Sequence, residues 1–383
     1  MKSFAKDHNE SALALYGQLQ QRPGNLFFSP FSIRTALAMT SIGARGKTAT
    51  QIREALRFAS LDETLHIAFA EMIERLKAAG NTKQEMAVAN SLWCQAEMVL
   101  LAKFCEVIDR YYQSGVNLVD FRSEGELARR EINRWVEDNT KQKIRELIPS
   151  GGITVDTRLV LVNAIYFKGL WVIPFNEEDT YDETFYLEGG GQVQVPMMSQ
   201  EEEVRHFHAD GIQAVDVDYL GSDLSMLVLL PDNRDGLPDL EARLSADMLY
   251  HCVEKMRVPK VKVFLPRFKL TWGTIDLSSQ LRALGMSKAF SRVEADFSGI
   301  NGHQPPDEES LWIAAVYHKA FVEVNEKGTE AAAATGVTLQ HFLSRGPSIP
   351  VFRADHPFLF AIRERKTGAI LFLGRVADPT QES

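Results

Sequence analysis

The 383-residue sequence predicts an α+β protein, with a helical first third followed by large, mostly antiparallel sheets. Three observations carry that expectation. Apolar residues recur at helical spacing as far as Leu147. From Arg158 onward the apolar runs are short, continuous and rich in β-branched and aromatic residues, as buried strands are. Near the C-terminus two such runs flank Lys366-Thr367-Gly368, the pattern of a hairpin.

Taken in order, Asn9-Glu10-Ser11 reads as the capped start of a helix through Ala12 to Tyr16. Ser29 is placed to cap a second helix, with Pro30 in its first turn and Ile33, Ala36, Leu37 and Thr40 on one face. Gly43 ends that pattern. A third helix is expected from Thr48, as cap, to Leu56, and a fourth from Leu65 to Leu76. A fifth is expected from Glu126 to Leu147, with Ile132, Trp135, Val136 and Ile144 as its apolar stripe and a charged outer face. Arg158 to Phe167 reads as a central strand buried on both faces, and Leu224 to Leu230 as a strand stopped by Pro231-Asp232. Val261 to Leu270 alternates in part. Phe358 to Ile362 and Ala369 to Leu373 form the hairpin.

Composition narrows the function. Hydrophobic residues make up 45% of the chain, enough for a large core, and no linker or repeat divides it. A net charge of -9 advertises no basic stripe for nucleic acid, and no nucleic-acid partner is expected. No apolar run approaches the ~20 residues of a membrane span, so no membrane partner is expected, and a monomer is. Met1 to Asp7 lacks the apolar core of a signal peptide, which points to a cytoplasmic chain or a processed extracellular one. Cys94, Cys105 and Cys252 match no zinc spacing and read best as free thiols, with one disulfide plus a leftover thiol left open. His206 and His208 have strand spacing for a metal but lack a third ligand, so no metal and no cofactor are expected. No nucleophile elbow, phosphate loop or zinc-protease motif is present, and no catalytic residues are assigned.

The informative segment is Glu326-Lys327-Gly328-Thr329-Glu330-Ala331-Ala332-Ala333-Ala334-Thr335. Four alanines favour a helix. Gly328 before them and Thr335-Gly336-Val337-Thr338 after them do not, and no apolar stripe anchors such a helix. As a strand the segment has two faces. Thr329, Ala331, Ala333, Thr335, Val337 and Leu339 share one, and Glu330, Ala332, Ala334, Gly336, Thr338 and Gln340 share the other. Its small side chains suit two states, an exposed loop and an inserted strand.

This segment resembles the hinge of an inhibitory serpin. Further resemblances run along the chain in the family's order. They are Asn25 to Ile33, Val162 to Trp171, His318-Lys319-Ala320, His356-Pro357-Phe358 and Phe372 to Val376. The resemblance implies the serpin fold, as a single domain over residues 1–383 with a reactive loop at about 326–346. It implies a suicide substrate: a serine protease, or a cysteine protease, cleaves the loop, is held as an acyl-enzyme, and is trapped as the loop inserts into the central sheet.

Residue by residue, Ser29, Ser32, Asn163 and His318 match the family's shutter. Trp171, Arg267 and Glu326 match its breach, where Arg267 and Glu326 are expected to pair. Counting from the hinge puts the scissile bond at Phe342-Leu343, which suits chymotrypsin-like proteases; the alternative, Arg345-Gly346, suits trypsin-like ones. The competing reading is a non-inhibitory member, a carrier, chaperone or storage protein. The small residues of the hinge argue against it.

Overall fold

A computed structural model describes residues 1–79, 84–112, 114–221, 223–329 and 349–382. Three sheets organise the described chain. The central one has six strands in the order Phe268–Asp276, Ala315–Asn325, Gly328–Thr329, Leu159–Leu170, Gln84–Gln95 and Val116–Val119. A second six-stranded sheet runs Leu26–Phe28, Ile370–Val376, Phe358–Glu364, Leu224–Pro231, Ile212–Asp218 and Arg205–Ala209, antiparallel throughout. The third has four strands: Val351–Arg353, Lys260–Pro266, Gln192–Glu203 and Tyr181–Tyr186.

The central strand Leu159–Leu170 explains its own apolar sequence. Leu159, Leu161, Ile165 and Phe167 enter the larger core, shared with the second sheet and the N-terminal helices. Val160, Val162, Ala164 and Tyr166 enter a smaller core. That core lies under the helix Gly125–Asn139, whose Ala128, Ile132 and Val136 face inward. With side chains alternating at period two, both faces of this strand must be apolar. Its neighbour Ala315–Asn325 divides in the same way, with Val316, Ala320 and Val322 in the larger core and Tyr317 and Phe321 in the smaller.

Two strands of the central sheet matter most below. Leu159–Leu170 and Ala315–Asn325 pair in parallel from Val160 with Ala315 to Tyr166 with Phe321. Beyond that stretch they diverge, and Gly328–Thr329 enters between them, antiparallel to both.

The α+β expectation holds, as do several elements within it. Ser29 caps the helix Pro30–Ser41 by accepting from Ser32 N at 3.1 Å. The C-terminal hairpin forms between Phe358–Glu364 and Ile370–Val376. Other boundaries differ for physical reasons. The first helix is Lys2–Leu19, so Asn9 lies inside it. Asn9 caps nothing there: its Oδ1 accepts from Ile370 N and its Nδ2 donates to Gly368 O, tying the helix to the hairpin. The third helix is Gly46–Ala55 with Arg45 at its N-cap, and Thr48 accepts instead from Asp296 N. The fourth is Glu63–Ala79. A fifth helix, Ala102–Tyr112, was not expected, and the helix expected from Glu126 to Leu147 is Gly125–Asn139, ending there because Lys141 and Gln142 have left-handed φ of 52° and 63°. Ile144 and Leu147 still fill the core, but from the following loop. Val261 to Leu270 is not one strand: Lys260–Pro266 and Phe268–Asp276 belong to different sheets, with Arg267 at the corner.

Candidate functional site: the head of the central sheet

The segment 326–329 is anchored at the head of the central sheet by its own backbone. Phe175 N donates to Glu326 O at 2.8 Å, and Trp171 N donates to Lys327 O at 2.9 Å. Indole Nε1 of Trp171 donates to Asn325 O at 3.0 Å. Glu326 is buried, and its Oε1 receives Arg267 Nε at 2.6 Å, Arg267 Nη2 at 2.5 Å and Thr180 Oγ1 at 2.6 Å. Burial pushes this carboxyl upward, but the bonds from Arg267 and Thr180 prevail and hold it below the usual glutamate range. Trp171, Arg267 and Glu326 thus converge, although Trp171 binds the backbone on either side of Glu326 and not its carboxylate.

Gly328 and Thr329 then occupy the gap. Gly328 has φ of 148°, and a Cβ there would lie 2.0 Å from Gly169 O, so only glycine fits. Thr329 pairs with Val324 on one side and Gly169 on the other. Its side chain is fully buried and faces the larger core, where Oγ1 meets Tyr219 Oη at 2.7 Å. Tyr219 is stacked on Trp171, with centroids 4.6 Å apart at 15°, and meets Phe167 edge-on at 5.0 Å. Sequence reading misses Tyr219 and Thr180. No local pattern links Tyr219 to a threonine 110 residues away. Glu330 to Thr335, Phe342, Leu343, Arg345 and Gly346 lie outside the described residues.

Below the gap, a polar row crosses three strands within the larger core. His318, Asn163 and Asn90 are register partners, from Ala315–Asn325 through Leu159–Leu170 to Gln84–Gln95. Ser29 N donates to His318 Nε2 at 3.2 Å. That leaves His318 Nδ1 carrying the proton, which it donates to Asn163 Oδ1. Asn163 Nδ2 donates to Ser32 Oγ at 2.5 Å and to Asn90 Oδ1. Ser32 Oγ donates to Asn90 Oδ1 at 2.8 Å, and Ser29 Oγ to Leu371 O at 2.7 Å. Every member is paired, as buried polar groups must be. Burial in this row brings the His318 imidazole down to about 3, so it is neutral. Ser29, Ser32, Asn163 and His318 are therefore one cluster. Asn90 completes it and is missed by sequence reading, because its role exists only once Gln84–Gln95 lies beside Leu159–Leu170.

Other chemistry is sparse. The three thiols are free, with Cys94 and Cys252 buried. Among the described residues no group of three or more His, Cys, Asp or Glu is placed to hold a metal, and no helix is long and apolar enough to cross a membrane.

Comparison with known proteins gives this arrangement a context. A family model described as "Serpin (serine protease inhibitor)" matches residues 6–379. Serpin B3 of Homo sapiens is 38% identical over 400 residues, covering 99% of this chain and 100% of that protein. Leukocyte elastase inhibitor of Xenopus laevis is 40% identical over 362 residues, covering 93% of each. The solved structure of human thyroxine-binding globulin in complex with thyroxine superposes with a TM-score of 0.88 at 33% identity, over 99% of both chains. Resemblance, sheet order and full-length matches agree, and the chain belongs to the serpin family.

Proposed function

We propose that this serpin is a suicide-substrate inhibitor that traps a serine protease, or a cysteine protease, as a covalent acyl-enzyme. One observation carries the reading: Thr329 already sits in the gap between the two parallel strands, bonded to both. The chain after it needs only to continue in the same direction to form a new strand, while the parallel pairing of 160–166 with 315–321 opens ahead of it. Serpin loop insertion is itself a standing example of strand addition. The protease serine attacks the loop carbonyl, the amine leaves, and an ester to the protease remains. Insertion then drags the acylated enzyme away before water completes hydrolysis. The serpin supplies bait and spring, and no catalytic residue.

In this reading Glu326 to Thr335 is the hinge. Trp171, Arg267 and Glu326 form the breach, and the row around Asn163 and His318 is the shutter. Phe342-Leu343 is the scissile bond, so chymotrypsin-like proteases are the favoured targets; Arg345-Gly346 offers a second bait to trypsin-like ones. The protein acts as one domain and as a monomer.

The test is a denaturing gel after mixing with a panel of serine and cysteine proteases, followed by mass spectrometry of the released fragment. A detergent-stable complex and cleavage after Phe342 are expected with chymotrypsin-like enzymes, and Phe342→Ala should abolish that trapping. Cleavage after Arg345 with every trapped protease would reassign the bait. Cleavage without any complex would move the protein to the carrier class, of which thyroxine-binding globulin shares the fold.

A further inference from the structure

The bond between Tyr219 and Thr329 has no role in the reading above. Both side chains are fully buried, and their hydroxyls meet at 2.7 Å. The tyrosine cannot swing away. Its ring is stacked on Trp171 and braced edge-on by Phe167, and a Cβ on Gly169 would fall 2.8 Å from its Cδ1. Its backbone is held by Tyr219 N to Leu224 O at 3.1 Å and by a bridge with Trp171. The hydroxyl is therefore a fixed polar point at the end of an apolar slot.

A fixed point of this kind specifies register. A buried hydroxyl without a partner is costly, whichever side loses it. Alanine or glycine at this position would leave Tyr219 unpaired. A slip of one residue would bring Glu330 to face the core, since neighbours on a strand point to opposite faces. Only Thr329 satisfies the site.

We infer that Tyr219 is a positioning residue whose hydroxyl holds Thr329 at the head of the slot, so that strand addition starts from one register. The inference rests on the inhibitory reading, and it concerns the partition between trapping and simple cleavage. When Thr329 is held, insertion starts from a seated residue. When it is released, the hinge must first find its place while the acyl-enzyme is hydrolysing.

The experiment compares wild type, Tyr219→Phe, Thr329→Val and the double variant in two assays. The first is amide hydrogen exchange at residues 328 and 329 in the uncleaved protein. The second is the ratio of cleaved serpin to covalent complex, with chymotrypsin as the probe. Each single variant leaves one buried hydroxyl unpaired. Each should speed exchange about tenfold or more and raise the ratio about tenfold. In the double variant both partners are apolar, and both readouts should return to within about threefold of wild type. Loss of packing would not produce that rescue, because the ring stays in every variant. Single variants matching wild type, or a double variant as bad as their sum, would overturn the inference. If wild type forms no complex, the inhibitory reading fails, and the exchange assay alone decides whether Tyr219 holds Thr329.

Discussion

Gly328 and Thr329, a strand of only two residues, carry unusual demands. At Gly328 the backbone of the neighbouring strand is so close that an added Cβ would overlap Gly169 O at 2.0 Å, and φ of 148° already excludes ordinary side chains. Gly328→Ala should therefore push residues 328 and 329 out of the gap, at a cost of roughly 1–3 kcal/mol. The expected outcome is a lower melting temperature for the uncleaved protein and a smaller yield of covalent complex; an unchanged yield would mean that the seated residues do not assist insertion. Thr329→Arg tests the side chain instead. Its charge would enter the larger core beside the rings of Tyr219 and Trp171, and an unpaired buried charge costs roughly 3–5 kcal/mol. Insertion should stall, so a target protease would cleave the loop and leave. Densitometry should show the complex band replaced by cleaved serpin, and an undiminished complex would refute the inward direction of residue 329 during insertion.

Among the elements, the pair Leu159–Leu170 and Ala315–Asn325 is joined by backbone bonds, by the hydrogen bond of His318 to Asn163 and by ring contact of Tyr166 with Phe321. The arrangement at His318 depends on a neutral imidazole, because Ser29 N needs a lone pair on Nε2. Burial holds His318 at about 3, and burial with help from Arg34 holds His8 at about 3. In the unfolded chain both should titrate near the ordinary value of about 6.5. Above that pH neither state is protonated and the full stability is present. As pH falls from about 6.5 toward 3, the unfolded chain takes up protons that the folded chain refuses. Stability is then lost at up to about 1.4 kcal/mol per pH unit for each group. The melting temperature should drop between pH 7 and pH 5, and His318→Gln should flatten that slope whatever it does to the melting point at pH 7; an equal slope would show that His318 does not contribute to it. Leu159–Leu170 was legible in the sequence because both of its faces are apolar; Ala315–Asn325 was not, because His318, Lys319 and Glu323 break its apolar run. Helix starts were less legible. Asn9 and Thr48 look like caps by residue type, yet the C-terminal hairpin and Asp296 claim their side chains, and a local pattern cannot see a distant partner. The same blindness hid Asn90 and Tyr219, whose roles exist only once strands 70 or more residues apart are side by side.

At the scale of the whole molecule, the central sheet is built short of its best hydrogen-bonding state. Along 160–166 and 315–321 each strand bonds to the other, as a parallel pair. A strand inserted between them would break that single ladder and form two, both antiparallel, as Gly328–Thr329 already does at the head. Parallel pairing is slightly weaker per residue than antiparallel, so the exchange gains in kind as well as in number. About ten residues after Thr329 are available for this. One additional backbone hydrogen bond for each, at roughly 1 kcal/mol net, stabilises the inserted form by on the order of 10 kcal/mol. Burial of Thr335, Val337 and Leu339 in such a strand would add to that figure. In the proposed mechanism the intact loop is what would prevent spontaneous insertion, because the chain beyond it continues into Val351–Arg353, an edge strand of the third sheet bonded to Lys260–Pro266. Cutting the loop removes that connection. Cleaved protein should therefore melt at least about 10 °C above intact protein, since even large domains gain roughly a degree or more per kcal/mol. The measurement is differential scanning calorimetry of the same preparation before and after limited proteolysis, with the fragments kept together. Coincident melting curves would mean that cleavage releases no strand into the sheet, and a trap driven by insertion would then have no source of work. A rise in wild type that disappears in Thr329→Arg would tie the gain to this slot.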